Sequence, residues 1–289
     1  MPNAVEPPTE SPSRLMAAYE LLADGSGPPW RPLAGGTDLM VQMTGEIGEP
    51  PERILDIWGL DELRGIAIDA DTLSIGALTT YTELRHSALV ADVVPALAAA
   101  AATIGAAQIQ NRGTIGGNVV NASPAGDTLP VLLAVGAEMV LGSSRGERVV
   151  AAGDFWPSYR TTARRDDELL LRIRIPILDD RQVRFRKVGT RRAQAISKVV
   201  VALAWRSRDG DPWTDVRLAL GSVAATTVRA PTAEAAMEGR RPDRDTAEAA
   251  AAALSDEIVP IDDVRSTADY RRAVAGRVLH RLIRDAGGW

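Results

Sequence analysis

Cysteine is absent from all 289 residues. That excludes disulfides, thiolate nucleophiles and cysteine-held iron-sulfur clusters within the chain. Histidine is nearly absent too: His86 and His280 lie far apart, and neither sits in a ligand-spaced cluster with carboxylates, so no metal site is expected. Both read as helix-face residues, His86 on the surface just after the helix start at Thr82 and Glu83. Lysine occurs only at Lys187 and Lys198, and no phosphate-binding G-x-x-x-x-G-K-[ST] is present. The G-x-G-x-x-G of dinucleotide folds is also missing after any strand-like run, so neither common nucleotide signature applies. No apolar run approaches the roughly 18–20 residues that span a bilayer. The start, Met1 to Pro8, lacks the basic and apolar regions of a signal peptide, and a cytoplasmic location is expected. A formal charge of −5 with scattered arginines leaves no basic footprint for nucleic acid.

What is present is 45% hydrophobic residues, enough for one large domain or two to three modest ones with real cores. With no intrinsic acid, base or nucleophile cluster in view, any chemistry must come from a borrowed cofactor. The first ten residues are rich in proline and acid and read as a loose tail. Ser11 or Ser13 is expected to cap a helix carrying Leu15, Met16, Tyr19 and Leu22 on one face. A short strand over Arg31 to Ala34 runs into the turn Gly35-Gly36-Thr37-Asp38 and the apolar segment from Leu39 to Met43. Arg53 to Ile57 and Leu73 to Ala77 read as strands, and an alanine-rich stretch from Thr82 to about Ile104 reads as one long helix.

A second glycine-rich stretch follows, from Arg112 to Asn118, and leads through Asn121 and Ser123 to Asp127. Beyond it a helix is expected over Thr128 to Val135, and strands over Glu138 to Leu141, Arg148 to Val150 and Leu169 to Ile175. The composition turns polar near Pro176 to Arg181, which marks a domain boundary. Past it, Val183 to Val188, Lys198 to Trp205 and Val216 to Leu220 predict a three-stranded antiparallel meander, its last two strands joined around Asp209-Gly210. The chain then turns helical over Thr232 to Met237, Asp245 to Leu254 and Thr267 to Asp285. In the last of these, Tyr270, Val274, Val278, Leu279 and Leu282 are spaced for one buried face.

The two glycine stretches carry the chemistry. Paired glycines after a strand let a backbone approach a ligand closely and turn several N–H groups toward one anion, for which a diphosphate is a candidate. Alone, Leu33 to Asp38 reads as a tight turn, since Gly-Gly turns between a strand and a helix are common. Thr114-Ile115-Gly116-Gly117-Asn118 repeats the device with a hydroxyl and an amide beside it, and two such loops suggest a divided diphosphate site. Asp127 is either an acceptor for vicinal hydroxyls or the N-cap of the helix that follows. Lys187 stands among arginines, as a solvated side chain or as a point charge for a flavin oxygen or a phosphate.

These blocks resemble the medium, FAD-binding subunits of molybdenum hydroxylases, which include carbon monoxide dehydrogenase and the flavin domain of xanthine dehydrogenase. The resemblance runs from about Ser13 to about Asp285. It also takes in Leu73 to Thr80, Ile104-Gly105, Asp167 to Leu170, Phe185 to Gly189, Leu220 to Ala224 and Tyr270-Arg271. It implies an α+β chain of the PCMH-type FAD-binding fold. Two N-terminal α/β subdomains, residues 1–56 and 57–177, would precede a C-terminal domain, residues 178–289, of a three-stranded antiparallel sheet plus helices. Position by position, it implies that Pro32, Leu33, Ala34, Gly35, Gly36, Thr37, Asp38 and Leu39 form one FAD loop. Thr114, Ile115, Gly116, Gly117 and Asn118 would form the other, with Ser123 and Asp127 beyond it. Leu170 and Lys187 match later contacts, Ile104 falls against the flavin, and Gln194 to Ile196 fall near its reactive face. The family's 2Fe-2S clusters and molybdopterin would then lie on a small and a large partner subunit, in a dimer of heterotrimers that passes electrons through FAD to an external acceptor. A self-contained flavin oxidase or dehydrogenase, and a flavin-free assembly protein, are the rival readings of the same residues.

Overall fold

The computed structural model describes residues 7–43, 49–191, 194–208 and 211–289. Its strands form three sheets, each with its own core. The first holds β1 (Thr9–Glu10), β2 (Trp30–Leu33) and β3 (Arg53–Asp56) in the order β1-β3-β2, all parallel. Ile54 and Leu55 make β3 the buried centre, 3% and 0% exposed. An unpaired edge on so central a strand would strand backbone groups without partners. Thr9 and Glu10 pair there with Ile54 and Leu55, so this part of the expected loose tail is a strand.

The first helix, Leu15–Ala23, is not capped by Ser11 or Ser13. Its cap residue is Arg14, without a side-chain bond, and the carboxylate of Glu62 accepts the Leu15 N–H from across the fold at 3.1 Å. Met16, assigned to the buried face, points outward at 57% exposure, while Ala18 and Tyr19 are buried.

The second sheet is antiparallel in the order β4-β5-β8-β6-β7: β4 (Ile66–Asp69), β5 (Thr72–Gly76), β6 (Glu138–Ser143), β7 (Gly146–Ala151) and β8 (Leu169–Pro176). β4 has no sequence forecast. It is a mostly exposed edge strand, and without a buried face it lacks the alternation by which strands are read. The alanine-rich stretch is three helices rather than one: Tyr81–His86, Ala88–Val93 and Pro95–Ala101. Thr80 and Glu83 close a reciprocal cap at the first. Ser87 ends that helix and caps the second by accepting the Val90 N–H, and Pro95 opens the third, where a missing N–H costs nothing. Alanine propensity favours helix throughout but cannot override a capping serine and a proline.

An ion pair anchors the entry into β8. Arg148 of β7 grips Glu168 with two bonds, Nε to Oε1 at 2.6 Å and Nη2 to Oε2 at 2.7 Å, and the Arg165 N–H donates to the same carboxylate at 2.8 Å. Burial pushes the Glu168 carboxyl up, but these hydrogen bonds and the arginine charge outweigh it and hold it below its ordinary value of 4.5. A carboxyl so depressed stabilises the fold above that value, and the contribution is lost as pH falls through the lower folded value. Glu168→Gln should therefore cost about 1.5–3 kcal/mol at neutral pH. In thermal melts taken at several pH values, the gap to wild type should close below pH 4.5. A gap of constant size down to pH 3 would contradict this assignment.

The third sheet has four antiparallel strands, β12-β11-β10-β9, rather than three: β9 (Arg181–Val188), β10 (Val199–Arg206), β11 (Thr214–Gly221) and β12 (Val228–Arg229). β12 spans two residues, pairing with Leu220 and Ala219, and is too short to show periodicity. The proposed turn at Asp209-Gly210 lies outside the described residues. β10 is buried on both faces, and its alternation shows why. Val199, Val201, Leu203 and Trp205 face a core built with helices Arg244–Glu257 and Ala268–Gly287. Ala202 and Ala204, with Ala219 of β11, face the core of the second sheet and its helices. Small side chains on that face let helices Pro95–Ala101 and Leu129–Ala134 pack close to the sheet, so the C-terminal region is fused to the second. In the last helix Tyr270 is 43% exposed, and the buried stripe is Arg271, Ala275, Gly276, Leu279, Leu282 and Ile283.

A candidate dinucleotide cleft between two glycine loops

Where β2 ends, the chain must turn sharply against a neighbour. A Cβ on Gly35 would lie 1.7 Å from the carbonyl oxygen of Arg112, so only glycine lets the first loop lie against the second. Gly36 follows with φ of +79°, and helix Leu39–Met43 then begins. The second loop is docked on the end of β5. Ile115 N–H donates to the Thr79 carbonyl and Gly116 N–H to the Ala77 carbonyl, each at 2.9 Å, and a Cβ on Gly116 would lie 2.6 Å from that of Ala77. Thr114 caps helix Ile115–Asn121 by accepting the Gly117 N–H at 3.0 Å.

Between the loops lies a solvent-open cleft of about 120 Å³ lined by both of them. The loops differ in what they offer. The amides of Ile115, Gly116, Gly117 and Asn118 all donate within the protein. Those of Gly35, Gly36, Thr37 and Asp38 have no protein acceptor among the described residues, and all four residues line the cleft. The first loop is thus the row of free donors that an anion requires. The second is a wall whose Gly117, unlike Gly35 and Gly116, has no backbone against its missing side chain: a Cβ there would meet only the Thr114 hydroxyl, at 2.9 Å. A latch ties the two together. Asn121 Nδ2 donates to Asp38 Oδ1 at 3.0 Å, and Arg160 Nη1 donates to the side-chain oxygen Oδ1 of Asn121 at 3.1 Å. Crowding by the loops pushes the Asp38 carboxyl above the ordinary range, against the pull of Arg160 and Asn121.

Pro32, Ala34, Leu39, Thr114, Asn118 and Leu170 also line this cleft, but not every expected residue does. Ile115 is fully buried in the core, and the Leu33 side chain packs beside Gly36. Asp127 and Lys187 sit apart from the lining as a buried ion pair: Lys187 Nζ donates to Asp127 Oδ2 at 2.5 Å and to the Thr103 carbonyl at 3.1 Å. Thr103 Oγ1 donates to the same Asp127 oxygen, at 3.2 Å, and Asp127 Oδ1 is buried without a partner. Burial pushes the Asp127 carboxyl up, opposed by the lysine. Asp127 is not a helix cap: that position is Thr128, with helical backbone and no side-chain bond. Ile104 packs at the edge of the core, and its carbonyl accepts Gln110 Nε2. Ser123 Oγ accepts the Ala125 N–H. Gln194 and Ile196 are exposed on the loop before β10, outside the cleft lining.

Several lining residues escaped the sequence. Ile57, Leu78 and Leu169 form an apolar wall together with Leu170, and Arg31 and Arg164 bring positive charge to it. Arg164 lies in the run Arg164 to Glu168, whose composition is that of a solvated loop.

The family described as the FAD binding domain in molybdopterin dehydrogenase matches residues 6–178, and the CO dehydrogenase flavoprotein C-terminal domain matches residues 184–286. This chain belongs to the FAD-binding medium subunits of the molybdenum hydroxylase family. The medium subunit is 37% identical to the glyceraldehyde dehydrogenase medium chain of Sulfolobus acidocaldarius, over 88% of this chain and 90% of that protein. It is 31% identical to the xanthine dehydrogenase FAD-binding subunit of Escherichia coli O157:H7, over 95% of each. Its fold superposes on carbon monoxide dehydrogenase from Hydrogenophaga pseudoflava with a TM-score of 0.90 at 32% identity, over 96% of each chain. For quinoline 2-oxidoreductase from Pseudomonas putida 86 the TM-score is 0.91 at 28% identity, over 98% of each.

Among the described residues, no group of three or more metal-ligating side chains comes together, and no helix is long and apolar enough to cross a membrane. The residues present fit a flavin dinucleotide: free amides for a diphosphate, an apolar wall for a planar ring, and a Gly117 surface open to the cleft.

Proposed function

We propose that this subunit is the electron-transfer module of a cytoplasmic molybdenum hydroxylase complex, and that its division into residues 1–56, 57–177 and 178–289 serves to hold FAD. The observation that carries the site is the row of unpaired amides from Gly35 to Asp38 facing the wall around Gly117. These amides meet the diphosphate, Gly117 permits close approach, and Ile57, Leu78, Leu169 and Leu170 exclude water from an aromatic ring. Ile104, Ser123, Asp127 and Lys187 contribute from outside the cleft lining, the buried ion pair supplying a fixed polar edge. Held there, FAD would supply the reversible electron acceptance that links the complex to an external acceptor. The partners would be a small subunit carrying 2Fe-2S clusters and a large molybdopterin subunit, in a dimer of heterotrimers. No side chain of this chain is assigned as acid, base or nucleophile.

Co-expression with its small and large partner chains, followed by purification through a tag on this subunit, tests the reading. The expected product contains flavin, iron and molybdenum, and its flavin bleaches on addition of the complex's substrate. Flavin that is reduced by substrate in the isolated subunit would instead indicate a self-contained oxidase. A subunit that never acquires a flavin spectrum would indicate an assembly protein.

A further inference from the structure

Arg164 and Arg31 are unusual in where their charges stop. Nη1 of Arg164 donates to three carbonyl oxygens, those of Arg165 at 2.8 Å, Asp166 at 3.3 Å and Glu168 at 2.8 Å, which fixes the guanidinium at the cleft edge. Burial lowers its pKa and the Arg31 charge adds to this, against the opposing pull of Asp166, Glu168 and Asp167, and an arginine so placed stays protonated. Of the neighbouring carboxylates, Asp167 pairs with Arg145 and Glu168 with Arg148, while Asp166 offsets part of the burial of Arg164 without forming an ion pair among the described residues. Among the described residues neither Arg31 nor Arg164 has an ion-pair partner, yet both line one cleft beside Leu169 and Leu170. Two converging cations repel, and a pre-positioned guanidinium with free donors is the standard receptor for a phosphate oxygen.

We propose that Arg164, assisted by Arg31, clamps the phosphates of the ADP half of the dinucleotide, so that charge on this half contributes much of the affinity for FAD. The inference rests on the FAD reading above. It adds a charged contact to a site otherwise built from backbone amides and apolar side chains, and it divides the work: the first loop holds the diphosphate by its N–H groups, and the arginines neutralise it.

The test is direct titration of the flavin-stripped full chain with FAD, ADP and adenosine at several salt concentrations. Wild type is expected to bind ADP at least about ten-fold more tightly than adenosine, with affinity falling as salt rises. Arg164→Leu should weaken FAD about ten- to a hundred-fold, flatten its salt dependence and bring ADP down to the level of adenosine. Arg31→Gln, on an exposed residue whose replacement leaves the core intact, should do the same to a smaller degree. Unchanged FAD affinity and salt dependence in both variants would overturn the proposal. So would an equal loss for ADP and adenosine, which would mean stacking on the base. A wild-type chain that takes up no FAD would sink the cofactor reading itself, and this proposal with it.

Discussion

Gly117→Val should fold like wild type and carry no flavin. The Cβ of residue 117 would meet nothing in the protein except the Thr114 hydroxyl at 2.9 Å, so the valine methyls project into the cleft rather than into the core. Turning that hydroxyl aside forfeits the cap of helix Ile115–Asn121, about 1 kcal/mol. The thermal midpoint should therefore move by only a few degrees. Flavin, by contrast, loses its close approach to the backbone, and affinity should fall at least about a hundred-fold, some 2.7 kcal/mol. Gly35→Ala should behave in the opposite way. Its single methyl would sit 1.7 Å from the Arg112 carbonyl oxygen, so the two loops must part before the chain can fold. That overpacking costs about 1–3 kcal/mol or more, and flavin is lost as a consequence of the damaged cleft. Absorbance at 450 nm and a thermal melt on both variants distinguish the two glycines. Full flavin occupancy in Gly117→Val would remove the second loop from the site.

That contrast bears on how much the sequence could disclose. Paired glycines mark places where a backbone comes close to something, but not what it comes close to. Gly35 and Gly116 make room for other parts of the chain, Gly36 supplies a positive φ, and Gly117 faces the cleft with only the Thr114 hydroxyl beside its missing side chain. Nor does the sequence reveal which amides remain free: the second loop's donors are consumed by Thr79, Ala77 and Thr114, bonds that depend on where β5 ends. Strands with one buried face were legible from alternation. β4 and β12 were not, because one is mostly exposed and the other spans two residues. The broken alanine helix shows that local stops at Ser87 and Pro95 outrank average propensity. Arg164 was illegible because a charged run looks the same whether it faces bulk water or a cleft.

Asp127 and Lys187 show the same limit at larger energy, since 60 residues separate the partners of an ion pair that sequence could treat only singly. The pair joins β9 of the third sheet to the segment after the second loop, with side chains 6% and 9% exposed. Lys187→Met should destabilise the subunit by about 3–5 kcal/mol, because it leaves a buried carboxylate whose Oδ1 already has no partner. At this chain length that corresponds to a fall of roughly 10 °C in thermal midpoint. Asp127→Asn should cost less, as it removes the carboxylate charge but retains an acceptor for Thr103 and for the lysine. Burial raises the Asp127 carboxyl, so a proton is bound more readily in the folded state than in the unfolded one. The contribution of that proton to stability is complete below the ordinary value of 3.8 and is lost as pH rises through the higher folded value. Wild type should lose this increment on going from acid toward neutral pH, and Asp127→Asn should not. Combining Asp127→Asn with Lys187→Met removes both charges, and most of the lost stability should return. The double variant then separates the two roles of the pair. If the ion pair only joins the sheets, the refolded double variant binds FAD as wild type does. If it supplies a polar edge to the flavin, stability recovers and flavin affinity does not.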